Sequence, residues 1–131
     1  MTPEQITKYI GMPWVSGEWD CWAFFRYCQK TYYGRDVPAV DVDALDLRQV
    51  IAAMETHEER SNWFEVTEPK DGDAVLMQRN RYPSHIGMWV NVDGGKVLHC
   101  AQGMGVVCQT RQALALDGWG SMTFWRCVDN T

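Results

Sequence analysis

His85-Ile86-Gly87-Met88-Trp89-Val90-Asn91-Val92-Asp93-Gly94-Gly95-Lys96-Val97-Leu98-His99-Cys100-Ala101 reads as a β-hairpin. Two apolar-rich runs, His85–Val92 and Lys96–Ala101, flank Asp93-Gly94-Gly95, a turn sequence whose glycines accept the positive φ of a tight hairpin. Strand alternation then decides which side chains meet. His85 and His99 lie 14 residues apart (99 − 85) across this turn, so both imidazoles fall on one face near the strand ends. Cys100, next to His99, points to the opposite face.

Downstream, Gly105–Thr110 reads as another strand, Arg111–Leu116 as a short helix and Thr123–Val128 as a closing strand. Upstream, Pro69-Lys70-Asp71-Gly72-Asp73 is turn chemistry leading into a short buried strand at Ala74–Met77. The N-terminal part is helical. Thr2 can cap a first helix, Pro3 takes its first position, and Gln5 completes a capping box. That helix is expected to end near Gly11, with Pro13 barring its continuation. After a loop from Met12 to Trp19, Asp20 caps the clearest helix in the chain. Trp22, Phe25, Cys28, Gln29 and Tyr32 form one stripe of it, Ala23, Phe24 and Tyr27 widen that stripe, and Gly34 stops it. Asp43 or Asp46 caps a further amphipathic helix holding Leu45, Leu47, Val50, Ile51 and Met54. Helices first and an antiparallel meander after them predict an α+β fold, with N-terminal helices packed on a central antiparallel sheet.

The chain has 131 residues, 46% hydrophobic and 22% charged, which fits one domain spanning 1–131. Its net charge of −5 and the lack of a Lys/Arg stripe argue against a nucleic-acid partner. Apolar runs are far short of the roughly 20 residues that span a bilayer. The start, MTPEQITKYI, has no basic and apolar leader, which predicts synthesis in the cytoplasm without a signal peptide. Five cysteines, an odd number, are expected to be reduced thiols.

Cys21 is the candidate nucleophile. It follows the capping Asp20, where the free N–H groups and dipole of a helix start favour negative charge. A thiol there is expected to have a lowered pKa and to be the most readily alkylated of the five. The backbone N–H groups of Cys21 and Trp22 are candidate oxyanion donors. His85 supplies a base and His99 a group to orient it, the logic of a Cys–His dyad with a third member. The plainer reading makes each a packed core residue. Cys28, Cys100, Cys108 and Cys127 are read as packing residues, and His57 as a solvated surface histidine. A zinc site of Cys21, His85 and His99 is the rival chemistry, but no carboxylate or second cysteine stands at ligand spacing. No metal and no cofactor are expected. Trp14, Trp19 and Trp22 are candidate walls of a substrate cleft, and Arg79 and Arg81 candidate partners of a substrate carboxylate.

Gly11-Met12-Pro13-Trp14, Asp20-Cys21-Trp22, Asp71-Gly72-Asp73-Ala74-Val75, His85-Ile86-Gly87-Met88-Trp89, Val97-Leu98-His99-Cys100 and Phe124-Trp125-Arg126 occur in an order that resembles the NlpC-type family of papain-like cysteine peptidases. The resemblance spans roughly Thr2 to Val128. It implies a papain-like fold, with Cys21 as nucleophile, His85 as base and His99 as the orienting residue. It also implies hydrolysis of peptide bonds in bacterial peptidoglycan stem peptides. The Asp-Cys-Trp form is similar to a branch carried by tailed phages, which implies other phage tail proteins as partners and a virion or cell-wall location. Many members have Ser-Gly after the cysteine, where Trp22-Ala23 stands here. Many carry an upstream tyrosine, where Trp14 stands here, and an indole N–H donates but does not accept. The alternatives are a tail-assembly module with little catalysis, or a papain-like amidase or acyltransferase acting on another amide.

Overall fold

The computed structural model describes residues 1–37, 63–79 and 82–127. The expected helix through Leu45 and Met54, together with His57 and Arg81, lies outside the described residues. At the N-terminus the capping box forms as expected. The Thr2 hydroxyl accepts the Gln5 N–H at 3.2 Å and the Gln5 side chain accepts the Thr2 N–H at 2.8 Å. Two donors of the first turn are thereby satisfied, and α1 (Pro3–Thr7) starts where Pro3 fixes φ. Turns carry the chain on to Gly11. α2 (Cys21–Tyr33) runs from its Asp20 cap to Gly34, whose φ of 67° makes the left-handed stop.

The strands are β1 (Trp63–Val66), β2 (Ala74–Arg79), β3 (Tyr82–Val90), β4 (Lys96–Ala101), β5 (Gly105–Gln109) and β6 (Ser121–Cys127), with α3 (Arg111–Leu116) before the last. They form one antiparallel sheet in the order β1-β6-β2-β3-β4-β5. Alternation divides its side chains between two layers. Leu76, Ile86, Met88, Leu98 and Cys100 pack against Phe24, Phe25 and Cys28 of α2. Val75, Met77, Val97 and Phe124 face the other way and pack with Leu114 of α3 and Trp119. Phe24 and Phe25 are each 1% exposed, and burying such a side chain contributes about 1.5–3 kcal/mol. This packing fixes α2 against β3 and β4, the two strands that carry the histidines.

Two further connections position the site. β5 is an edge strand, and the N-terminal loop covers it: Gly11 N–H donates to Val106 O and Val106 N–H to Met12 O, both at 2.9 Å. A Cβ on Gly105 would come within 2.3 Å of Met12 O, so glycine admits this crossing. At the other end, Arg126 of β6 grips the fully buried Asp73. Its Nε and Nη2 donate to the two carboxylate oxygens at 3.1 and 2.8 Å, and Nη2 also donates to Glu68 O. No helix among the described residues is long and apolar enough to cross a membrane.

Candidate active site

Asp20 ties a loop to a helix. One carboxylate oxygen accepts the Ala23 N–H and the other the Gly17 N–H, each at 2.9 Å. Cys21 follows at the first position of α2, 2% exposed. The β3–β4 ladder pairs Met88–Val90 with Lys96–Leu98, so Ile86 has no ladder partner on β4. The Cys21 sulfur accepts the Ile86 N–H instead, and also that of Trp22. The sulfur therefore meets β3 one residue from His85. The Trp22 N–H, expected as an oxyanion donor, is directed at the sulfur in this state.

Burial pushes the Cys21 thiol up to about 12, and the neighbouring Asp20 carboxylate and Cys100 thiol add smaller contributions to the rise. The Ile86 and Trp22 N–H groups oppose it without reversing it. The expectation of a lowered pKa is thus corrected: the helix start does favour a thiolate, but desolvation and the cap's own carboxylate outweigh it. Slow reaction of Cys21 with simple alkylating reagents is the expectation that follows from a neutral thiol.

His85 and His99 meet as the hairpin parity requires. His85 Nε2 and His99 Nδ1 are 2.7 Å apart, with the rings nearly perpendicular. Gly87 makes this possible. It lies on their face between them, and a Cβ there would fall 2.9 Å from both His99 Cβ and Val97 Cγ1. Burial holds His85 well below the ordinary imidazole value, aided by the neighbouring His99 ring and the Arg79 charge. Burial also lowers His99, against the opposing pull of its Gln109 bond and the Asp117 charge. Both rings, like the thiol, rest neutral.

A second tier surrounds the pair. Gln109 Oε1 lies 2.8 Å from His99 Nε2, and Gln109 Nε2 donates to Asp117 Oδ2 at 2.7 Å. Trp119 stacks on His85 with centroids 5.0 Å apart, and Arg79 lies 3.9 Å above the Trp119 ring. Arg79 also donates to Asp117 O at 2.6 Å. Cys21, His85 and His99 share the wall of one cavity of about 260 Å³, with Trp14, Arg79, Gln102, Met104, Asp117 and Trp119.

Of the three tryptophans expected in the cleft, Trp14 lines the cavity, carried there by the loop that crosses β5. Trp22 does not: it is 5% exposed and stacks on Phe25 within the core. Trp19 packs edge-on against Phe24 and Tyr27 beside α2. The helical wheel of α2 turns Trp22 inward, the loop before α2 lays Trp19 against Phe24 and Tyr27, and the tryptophan count alone did not distinguish wall from core. Gly87, Gln109, Asp117 and Trp119 were not singled out from the sequence. The signal for Gln109 was parity, since His99 pairs with Val107 and Gln109 lies two residues on, on the same face.

Among the described residues no group of three His, Cys, Asp or Glu side chains is arranged to hold a metal ion. The geometry explains this for the rival zinc reading. Both His99 nitrogens are engaged, one by His85 and one by Gln109, which leaves no lone pair to coordinate.

Residues 9–123 match the family model described as the NlpC/P60 family. A solved structure described as the NlpC/p60 domain of the peptidoglycan hydrolase SagA superposes with a TM-score of 0.59. It is 22% identical, and the alignment covers 94% of this chain and 92% of that one. At that identity the likeness establishes the α+β papain-like fold. No curated protein matches.

Proposed function

The chain belongs to the NlpC/P60 family, and on that premise we propose that it is a cysteine hydrolase cleaving an amide bond in the stem peptides of bacterial peptidoglycan. The observation that carries the reading is the Cys21 sulfur on the Ile86 N–H, beside His85, in the cavity that both residues line. The solved neighbour belongs to a peptidoglycan hydrolase, which supports a cell-wall peptide as the substrate class.

The resting pair is thiol and neutral imidazole, so His85 acts as a general base during attack. As the sulfur bonds to the carbonyl carbon, its proton passes to His85. The sulfur then gives up its hold on the Trp22 N–H, which with the Cys21 N–H can face the new oxyanion. The His85 imidazolium protonates the amine, the C–N bond breaks, and a thioester remains. His85 next takes a proton from water, whose oxygen attacks the thioester. As the C–S bond breaks, His85 returns that proton to sulfur, restoring the thiol and the neutral imidazole, and the acid leaves as a carboxylate with its proton passing to solvent. His99 orients His85 throughout. Trp14 and Met104 at the cavity mouth offer apolar surface to the peptide.

The test is mass spectrometry of muropeptides after incubation with wild type and with Cys21→Ala. Wild type is expected to release new fragments carrying a free carboxylate and a free amine, and Cys21→Ala none. Equal release by both proteins would refute the assignment.

A further inference from the structure

We propose that Gln109 and Asp117 are positioning residues that set the tautomer of both histidines and so place the accepting lone pair of His85 on Nδ1. The inference rests on the hydrolase reading for its kinetic consequence, and on hydrogen-bond accounting for its structural one.

An ionised aspartate accepts only, so the 2.7 Å bond at Asp117 Oδ2 must be donated by the Gln109 NH2. The Gln109 amide is thereby oriented, and the group 2.8 Å from His99 Nε2 is its oxygen. An amide oxygen accepts only, so His99 carries its proton on Nε2. A neutral imidazole has one proton, which leaves His99 Nδ1 as an acceptor. The 2.7 Å contact with His85 is then donated by His85 Nε2. The remaining nitrogen of His85, Nδ1, holds the lone pair, on a ring that lines the cavity together with Cys21. Four side chains are read in one direction from a single carboxylate.

The carboxylate is itself held in place. Asp117 caps the C-terminus of α3, with its N–H bonded to Ala113 O and Leu114 O, and its carbonyl accepts from Arg79. Reversing the amide would reverse the relay. With its NH2 toward His99, Gln109 would require a bare Nε2 and a protonated Nδ1 on His99. His85 would then accept at Nε2 and carry its proton on Nδ1, where it could not take the thiol proton.

The experiment uses long-range ¹⁵N–¹H NMR of the histidine-labelled protein, which separates the two neutral tautomers, alongside kcat and KM for fragment release. The chain has three histidines, and His57→Gln assigns the third. Wild type is expected to show Nε2–H on both His85 and His99. Asp117→Asn frees the amide to turn, so both tautomers appear and kcat falls at least about twofold with KM held. Gln109→Leu removes the relay and lowers kcat about tenfold or more, part of the roughly 10²–10⁴ that positioned proton transfer supplies. Gln109→Glu combined with Asp117→Asn supplies an acceptor to His99 and is expected to restore the wild-type tautomers and most of kcat, a recovery that loss of folding would not produce. Asp117 is exposed, so Asp117→Asn keeps the test open where Gln109→Leu fails to fold. Nδ1–H on His85 in wild type, or unchanged tautomers and kcat in Asp117→Asn, would overturn the proposal. Wild-type protein with the expected tautomers and no fragment release would refute the hydrolase reading alone.

Discussion

Gly87 and His99 face each other across the β3–β4 hairpin so closely that a Cβ on Gly87 would stand 2.9 Å from His99 Cβ. The missing side chain leaves the lane through which His85 reaches diagonally to His99. Gly87→Ala is therefore expected to push the rings apart and to abolish most fragment release. Overpacking a core site costs about 1–3 kcal/mol, so the melting temperature should fall as well. Structure determination of the variant checks the mechanism: an unchanged 2.7 Å contact would show that the lane is wider than the backbone implies.

The buried thiol and imidazole set the pH behaviour. With Cys21 raised to about 12, the unfolded thiol ionises first as pH rises, so stability declines above about pH 9. His85 is shifted the other way. Unfolded His85 takes up a proton below about pH 6.5 while the folded ring resists, so stability also declines on that side. A melting-temperature profile should be flat between these limits. Activity should persist well below pH 6.5, because His85 stays unprotonated there. An acid limb near pH 6.5 would show that His85 titrates as an exposed ring does.

Trp14 and Trp22 separate binding from folding. Trp14 lines the cavity and packs only partly on the core, so Trp14→Ala should raise KM and lower the melting temperature less than loss of a fully buried ring. Trp22 is stacked in the core, so Trp22→Ala should cost about 3–5 kcal/mol in urea unfolding. The reverse pattern would return Trp22 to the substrate cleft.

Arg126 neutralises a carboxylate that has no access to water. Removing one partner of a buried pair costs about 3–5 kcal/mol, so Arg126→Ala should lower the urea midpoint sharply. Arg126→Lys should recover only part of the loss, since an ammonium does not reproduce the two-nitrogen grip. A midpoint unchanged in both variants would mean that Asp73 is neutral in the folded protein.

Much of the architecture was legible in local signals. Lys96–Ala101 and Arg111–Leu116 form with the bounds read from the sequence, although Thr110, read as the end of the preceding strand, instead caps the helix. The histidine pair followed from strand parity alone. β3 was less legible: it begins at Tyr82 rather than His85, because β2 and β3 pair past an irregularity at Met77/Gln78. β1 was missed because Trp63–Val66 is four residues without alternation, held as a strand by its pairing with β6. The thiol's pKa was misjudged for a related reason. A cap and a helix start are visible in sequence, whereas burial depends on Ile86, Cys100 and the whole of the packed layer. Asp117 lies beyond the reach of any local pattern, since its link to His99 on β4 passes through Gln109 of β5.

Peroxide and other small oxidants consume sulfur in its anionic form. A nucleophile that keeps its hydrogen until an amide arrives offers them little, and so should outlast oxidative exposure better than an exposed, ionised one. The same reticence bears on inhibitor chemistry: simple haloacetamides should be slow, and electrophiles built into a peptide that fills the cavity should be the effective ones.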